Sequence, residues 1–489
     1  MDKRFKLTKD ANPNYLATIC RIGTLYPIEG ADRLMKTVIN GYDIVVSKDY
    51  KEGDIVIYFP VESSISEKYL SANNQYEMGE FERNSNAEEV KKILIESENL
   101  PDDDTEGKKL LHEKARALCG FFNKHGRVRI LKLRGQYSMG FIATVDTIVK
   151  YDESLSDVDW ESMIGHQFNY IGDDEFCRKY VPPVKPIRSG GEGKSVWRKR
   201  MKHLRKFDRI IEEQFAFHYD TKMLAEHIHE LSPSDIVTIT VKCHGTSAIF
   251  ANILCNRKLT RWEKMKKFLG FHVPETEYGN VYSSRSVIKN KYINPGAKSF
   301  FGDDIWGKVD AMLSPYLERG MTVYGEIVGY IDGTTKFIQK NHDYGCKPGT
   351  WKFMPYRITM TDPMGKKDEW EIDRVDAWTH ELVDKHPEIA DRIMFLTILY
   401  YGKLGDLYPD LDTSSHWHEN LLARMKIDKD RFGMELREPL CNNKVPREGL
   451  VIRRVGDVIP RAWKLKTAAH YAMECKENDS GEANIEDVS

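Results

Sequence analysis

A chain of 489 residues is longer than one hydrophobic core serves, so two or three domains are expected. A formal net charge of −2 and a pI near 6.7 exclude nucleic-acid binding through global basicity, so any such contact must come from local patches. No apolar run approaches the roughly 20 residues of a membrane span, and Met1-Asp2-Lys3-Arg4-Phe5-Lys6 leads into no signal core. An intracellular, cytoplasmic protein without a membrane partner is therefore expected, in a host cytoplasm if the source is viral.

From Asn14 to Pro60, short strand-like runs alternate with turns: Tyr15 to Ile22, Leu34 to Val38, Asp43 to Val46 and Asp54 to Phe59. That spacing predicts a small β-barrel. Residues 80–122 carry helical periodicity at Val90, Ile93 and Leu94, a breaker at Leu100-Pro101-Asp102-Asp103-Asp104, and a second helix through Leu110, Leu111, Ala115 and Leu118. They read as an insertion in the barrel. Strand character resumes at Val128 to Gly135 and Met139 to Ala143, where Arg127, Arg129, Lys132 and Arg134 predict a cationic surface. Residues 1–180 are accordingly read as an oligonucleotide/oligosaccharide-binding (OB)-like, nucleic-acid-binding domain, against a barrel that only packs on its neighbour.

Residues 181–209 form a linker, with Pro182, Pro183 and Pro186, then Ser189-Gly190-Gly191-Glu192-Gly193, then a dense basic run. Within that run Arg198, Lys199, Arg200, Arg205 and Lys206 are candidate nucleic-acid contacts, the alternative being a solvated helix face. A second domain spans 210–475. It contains a basic segment from Arg257 to Lys267 whose Trp262 could stack on a base or pack on a surface helix, and a stretch near 370–430 without signature. An acidic tail follows at 476–489. The eight cysteines are scattered without Cys-x-x-Cys spacing and read as reduced, buried thiols. His227-Ile228-His229 and His416-Trp417-His418 splay their rings on a predicted helix, so zinc is not expected there.

Chemistry concentrates in the second domain. The β-branched run Ile236 to Val241 delivers Lys242 to a His244-Gly245 turn. Lysine attacks phosphorus only as the neutral amine, so its pKa must fall by roughly two or three units through desolvation or nearby cations. Glu448 precedes Gly449 and an apolar strand, and period-2 geometry puts Lys464 and Lys466 on one strand face. Two ammonium groups, a carboxylate able to hold a divalent cation, and an activated lysine suit cleavage of a nucleoside triphosphate between its α and β phosphates. Glu326 sits inside an apolar strand where a carboxylate needs a partner, beside a small Gly325 read as admitting a ligand.

In order, Lys242-Cys243-His244-Gly245, Glu448-Gly449-Leu450-Val451 and Lys464-Leu465-Lys466 resemble motifs I, IV and V of the covalent nucleotidyltransferases, the ATP-dependent ligases and mRNA capping enzymes. Each motif alone is short, and the ordered set is what is specific. The resemblance implies catalytic roles for Lys242, Glu448, Lys464 and Lys466, with Glu448 holding Mg²⁺ or Mn²⁺. It implies that Arg285, in Tyr282-Ser283-Ser284-Arg285-Ser286, holds phosphate or ribose, and that Glu326 accepts from a ribose hydroxyl. Tyr356, or failing that Phe353, would stack on adenine. Main-chain groups of Val241 and Cys243 would meet the purine edge, with Gly245 in the turn and Ser247 as a small polar contact. His244 departs from the aspartate of DNA ligases in favour of RNA ligases.

The candidate barrel precedes the lysine, and none fits between Lys466 and Ser489. This order, with Lys-x-His-Gly-Thr, resembles RNA ligases of the Deinococcus radiodurans type. The implied fold is α+β, an N-terminal OB-like β-barrel followed by a nucleotidyltransferase (ATP-grasp-like ligase) domain of antiparallel sheets with flanking helices. The implied activity is that of a monomeric ATP-dependent RNA ligase. It would join 3′-hydroxyl and 5′-phosphate ends of RNA or RNA-containing nicked duplexes, in nick or RNA repair, through a lysyl-adenylate and an adenylylated strand. The rivals are a DNA ligase, a GTP-dependent capping-type enzyme, and a non-catalytic nucleic-acid-binding protein, the last disfavoured because a dead pocket has no need of such costly polar groups.

Overall fold

The computed structural model describes residues 2–181, 209–218, 221–289, 304–413, 415–434, 436–457 and 461–479. The basic run with Arg198, Lys199, Arg200, Arg205 and Lys206 lies outside these residues, as does the acidic tail beyond residue 479. The chain divides into two units: Met1–Val181 with Tyr471–Lys476, and Pro182–His470 with Glu477–Ser489.

In the first unit, strand Ala17–Arg21 lies antiparallel between Ile55–Phe59 and Gln167–Phe168, and Phe141–Thr144 extends the sheet beyond Ile55–Phe59. Leu34–Ile39 and Tyr42–Ser47 form a hairpin in a second sheet. Strict burial alternation in Tyr42–Ser47 is what a half-buried strand requires. Ile19, Ile57, Phe59, Phe168 and Phe176 meet in the core. Tyr15 belongs to a 3₁₀ turn begun by Pro13 rather than to the following strand, because proline fixes the turn before extended pairing begins.

Helices Ala87–Glu98 and Thr105–Ala117 form the insertion, the second capped by Asp104 accepting from the Gly107 amide at 2.9 Å. Val90, Ile93 and Ala115 build a small core of their own with Leu94, Leu111 and Leu118 around it. Leu110, expected on that face, is 67 % exposed.

Two expectations for the segment after the insertion need correction. Only Leu131–Leu133 of the run Val128 to Gly135 is strand. Arg127 is not part of a cationic surface: it is 1 % exposed, paired to Glu62 at 2.5 Å and seated over the Tyr180 ring at 4.8 Å. A guanidinium so buried needs that carboxylate, since an unpaired buried charge costs several kcal/mol. Arg127 also bridges to Ser64, with Val128 bonded through its backbone to Ser63 and Glu62, so Val128 and Ile130 stay in the core although the segment is not a full strand. Arg129 donates to the Phe121 carbonyl at 3.0 Å, and Lys132 lies over Tyr137.

The second unit contains two sheets. One runs in the order Lys222–Met223, Ala462–Lys466, Gly449–Arg454, Ile236–Lys242, Ile398–Lys403, antiparallel except for the parallel edge pairing of Lys222–Met223. The stretch near 370–430 supplies its other edge strand, Ile398–Lys403, together with helix Ile372–Lys385. The second sheet has Thr246–Asn256, Met321–Gly329 and Trp351–Thr361 at its centre. Met321–Gly329 is buried at every position, which explains its continuous apolar reading and makes Glu326 an exception requiring partners. The two His-x-His segments meet each other, His229 and His418 rings lying 4.7 Å apart, with His418 Nε2 at 2.8 Å from the Leu231 carbonyl.

Candidate active site

Strand register assembles the first half of the site. Gly449 is paired with Lys242 on one side and Lys466 on the other, so the residue before it, Glu448, falls between the two lysines. Gly449 has φ +149°, and a Cβ there would land on the Leu465 carbonyl oxygen. Only glycine lets these strands close at that point. Glu448 Oε1 lies 2.7 Å from Lys242 Nζ, 3.3 Å from Lys466 Nζ and 3.8 Å from His470 Nε2. Burial alone would raise the Glu448 pKa, but the charges of Lys242 and Lys466, with His470 and His244, hold it well below the usual carboxylate range.

Lys466 is the cation brought near the Lys242 amine, but both lysines share the Glu448 carboxylate, which itself pairs with Lys242. Lys464, two residues before Lys466 on the same strand face, is 8 % exposed on an interior strand, which rules out a solvated lysine pair on an edge.

The second half is joined to the first by the His244-Gly245 turn. The Gly245 amide donates to Glu326 Oε1 at 3.2 Å, and a Cβ at Gly245 would press on the Ile327 carbonyl and Glu326. Ser247 stands opposite Glu326 in the ladder. The Tyr356 hydroxyl is pushed above its ordinary pKa by burial first and then by the charge of Glu326. Ser247 and the charges of Arg285 and Arg453 act in the opposite direction, so these groups share one neighbourhood. Cys243 links both halves: burial raises its thiol well above the ordinary range, and Glu438, Glu448 and Glu326 all add to the rise.

Three readings change here. Gly325 does not admit a ligand, because the space a Cβ would take is filled by the Phe353 ring. Phe353 packs edge-on against Phe250 in the core and is no base platform, whereas Tyr356 is only partly buried, with Arg453 6.0 Å from its ring. The Val241 amide is committed to the Thr397 carbonyl at 3.0 Å and so does not serve a purine edge.

Four further site residues are not singled out by the sequence. Tyr344, at φ 45°, accepts from the His244 amide at 2.7 Å, and Gln339 donates to the Gly245 carbonyl at 2.7 Å. His244 stacks edge-on with His342 and His470 at 4.8 Å each. His470 follows Thr467, whose hydroxyl accepts from the His470 amide. These contacts pass through main chain and loop, and no periodicity announces them; only the i+4 offset of His470 from Lys466 at a helix start was available as a hint.

A divalent cation fits this donor set. Glu448 Oε2 is buried without a hydrogen-bond partner, and ligand atoms of His244, Glu448 and His470 lie within 4.8 Å of one another.

A family model described as an OB-fold domain matches residues 16–102, which identifies the fold of the N-terminal barrel. No curated protein matches the chain. Among solved structures, a mutant of the Naegleria gruberi RNA ligase with AMP and Mn aligns at a TM-score of 0.48 and 18 % identity, covering 94 % of this chain and 98 % of that one. The same ligase with PPi aligns at 0.48 and 19 % identity, covering 94 % and 99 %. Among the described residues no helix is long and apolar enough to cross a membrane.

Proposed function

We propose that the chain is an ATP-dependent RNA ligase of the Deinococcus type, joining 3′-hydroxyl and 5′-phosphate ends in RNA or RNA-containing nicked duplexes. The observation that carries this reading is the placement of Glu448 between Lys242 and Lys466 by the register at Gly449. As the neutral amine, Lys242 Nζ attacks the α-phosphorus of ATP, a P–N bond forms as the nitrogen releases a proton to solvent, and pyrophosphate leaves with the electrons of the broken P–O bond. Lys466 and Lys464 neutralise charge on the α-phosphate as it builds. Glu326, Ser247 and Arg285 orient ribose and phosphate, and Tyr356 stacks on the base.

A 5′-phosphate oxygen of the RNA then takes the AMP from Lys242, and the 3′-hydroxyl displaces AMP to close the strand. Glu448, with His244 and His470 beside it, would hold Mg²⁺ or Mn²⁺, which when bound supplies charge neutralisation at the phosphates. Arg198, Lys199, Arg200, Arg205 and Lys206 remain candidate contacts of the RNA, and the OB-fold domain a further one.

Incubation with ATP or GTP labelled at the α-phosphate tests the reading. Label should attach to the protein from ATP alone and vanish in Lys242→Ala. Attachment from GTP alone would make this a capping-type enzyme, and no attachment from either would return the non-catalytic rival.

A further inference from the structure

Strand Thr246–Asn256 starts beside the site at Ser247 and runs to Asn256, paired from Ile249 onward with Thr276–Ser283. At roughly 3.3 Å per residue its far end lies about 30 Å from the nucleophile turn. The hairpin does not end there in a tight turn but carries residues 257–275, including helix Arg261–Phe268.

This tip is ordered by its own bonds. Thr260 and Glu263 form a reciprocal capping box, Arg257 pairs with Glu263 at 2.7 Å, the Arg257 amide donates to the Glu275 carbonyl at 2.7 Å, and Val273 is buried. No side chain of the helix is buried. Trp262 is 61 % exposed, Phe268 90 % and Phe271 64 %, so the sequence alternative of a packed tryptophan is wrong. Both acids of the tip's ion pairs are spent locally, Glu263 on Arg257 and Thr260, Glu275 on Lys267. Lys258, Arg261, Lys264 and Lys266 are exposed and form no ion pair among the described residues.

Three presented aromatic rings among four uncompensated cations match a polyanion whose units each carry a flat π-face. A lipid surface fits less well, because a helix of 8 residues offers about two turns, short of typical interfacial helices. We propose that this hairpin tip binds unpaired nucleotides of the RNA substrate about 30 Å from Lys242, by stacking on Trp262, Phe268 and Phe271 and by phosphate contacts from Lys258, Arg261, Lys264 and Lys266. The proposal rests on the ligase reading for its choice of RNA.

The test compares the full-length protein with Trp262→Ser/Phe268→Ser/Phe271→Ser and with Lys264→Glu/Lys266→Glu, using fluorescence anisotropy on 5′-phosphorylated single-stranded RNA of about four and about twenty nucleotides. The short strand cannot span site and tip. Both variants should bind the long strand roughly tenfold more weakly and the short one like the parent, with the charge variant also showing a shallower salt dependence. Lysyl-adenylate formation from ATP should be unchanged in both. Equal binding of the long strand by parent and variants overturns the proposal. So does binding of phosphatidylserine vesicles by the parent that the variants lose. Failure of the parent to form lysyl-adenylate sinks the ligase reading alone, since the strand-length comparison still reports on the tip.

Discussion

Each charged side chain around Glu448 is held by a neighbour that can be removed singly. Lys242→Ala should abolish labelling by ATP. Lys466→Ala should lower it on the order of a hundredfold, the scale for losing one transition-state charge partner, while the melting temperature moves little because Lys242 still pairs with Glu448. His342 makes a pH prediction. Burial first, then the charges of His244 and His470, push its pKa down to about 3. The folded ring is therefore neutral, while the unfolded ring gains a proton as pH falls through about 6.5. The contribution is complete above about pH 6.5 and is lost as pH falls towards about 3, on the order of a few kcal/mol. Urea unfolding of His342→Gln should show a flatter pH dependence between pH 6.5 and 4.5. Glu448 acts only below that interval, where its depressed pKa makes stability fall as acid protonates it. If parent and variant keep the same slope, the ring is not held neutral. Lys242, Glu448 and Lys466 were legible in sequence because each ends or abuts a strand with clear period. His342, Tyr344 and Gln339 were not, because they act through loop geometry and main-chain bonds.

Among the elements, the strand Gly449–Arg454 sets the site. Gly449→Ala should cost a few kcal/mol, since it combines positive φ with a Cβ pressed on a carbonyl, and should separate Lys466 from Glu448. A lowered melting temperature with lost labelling is expected; a variant that is stable and fully labelled would show that the register is not what places Glu448. Strand existence was readable from alternation, as in Tyr42–Ser47, but strand ends were not. Pro13 displaced one start, and beside the buried Arg127–Glu62 pair the pairing shrinks to a single bridge between Arg127 and Ser64. Arginine in a basic sequence neighbourhood reads as surface until its carboxylate partner, 65 residues away, is seen.

Over the whole molecule, Lys242, Glu448, Lys466, His470, Glu326 and Tyr356 all belong to the second unit. A fragment beginning at Arg209 should keep the label from ATP and lose end joining if the OB-fold domain holds the RNA. Equal joining by fragment and full chain would remove that domain from substrate binding. The order of the two units was legible because turn-punctuated short strands and the lysine motif occupy separate stretches of sequence.

The clasp between Lys242 and Glu448 also bears on what happens when no nucleotide is present. A side chain tied into an ion pair and four-fifths hidden from solvent is a poor target for the aldehydes and acylating by-products that scar lysines. If Lys242 is the nucleophile proposed above, the same clasp holds its nitrogen in the unreactive ammonium form. Reductive methylation should mark Lys264 well before Lys242, and Glu448→Gln should erase that protection.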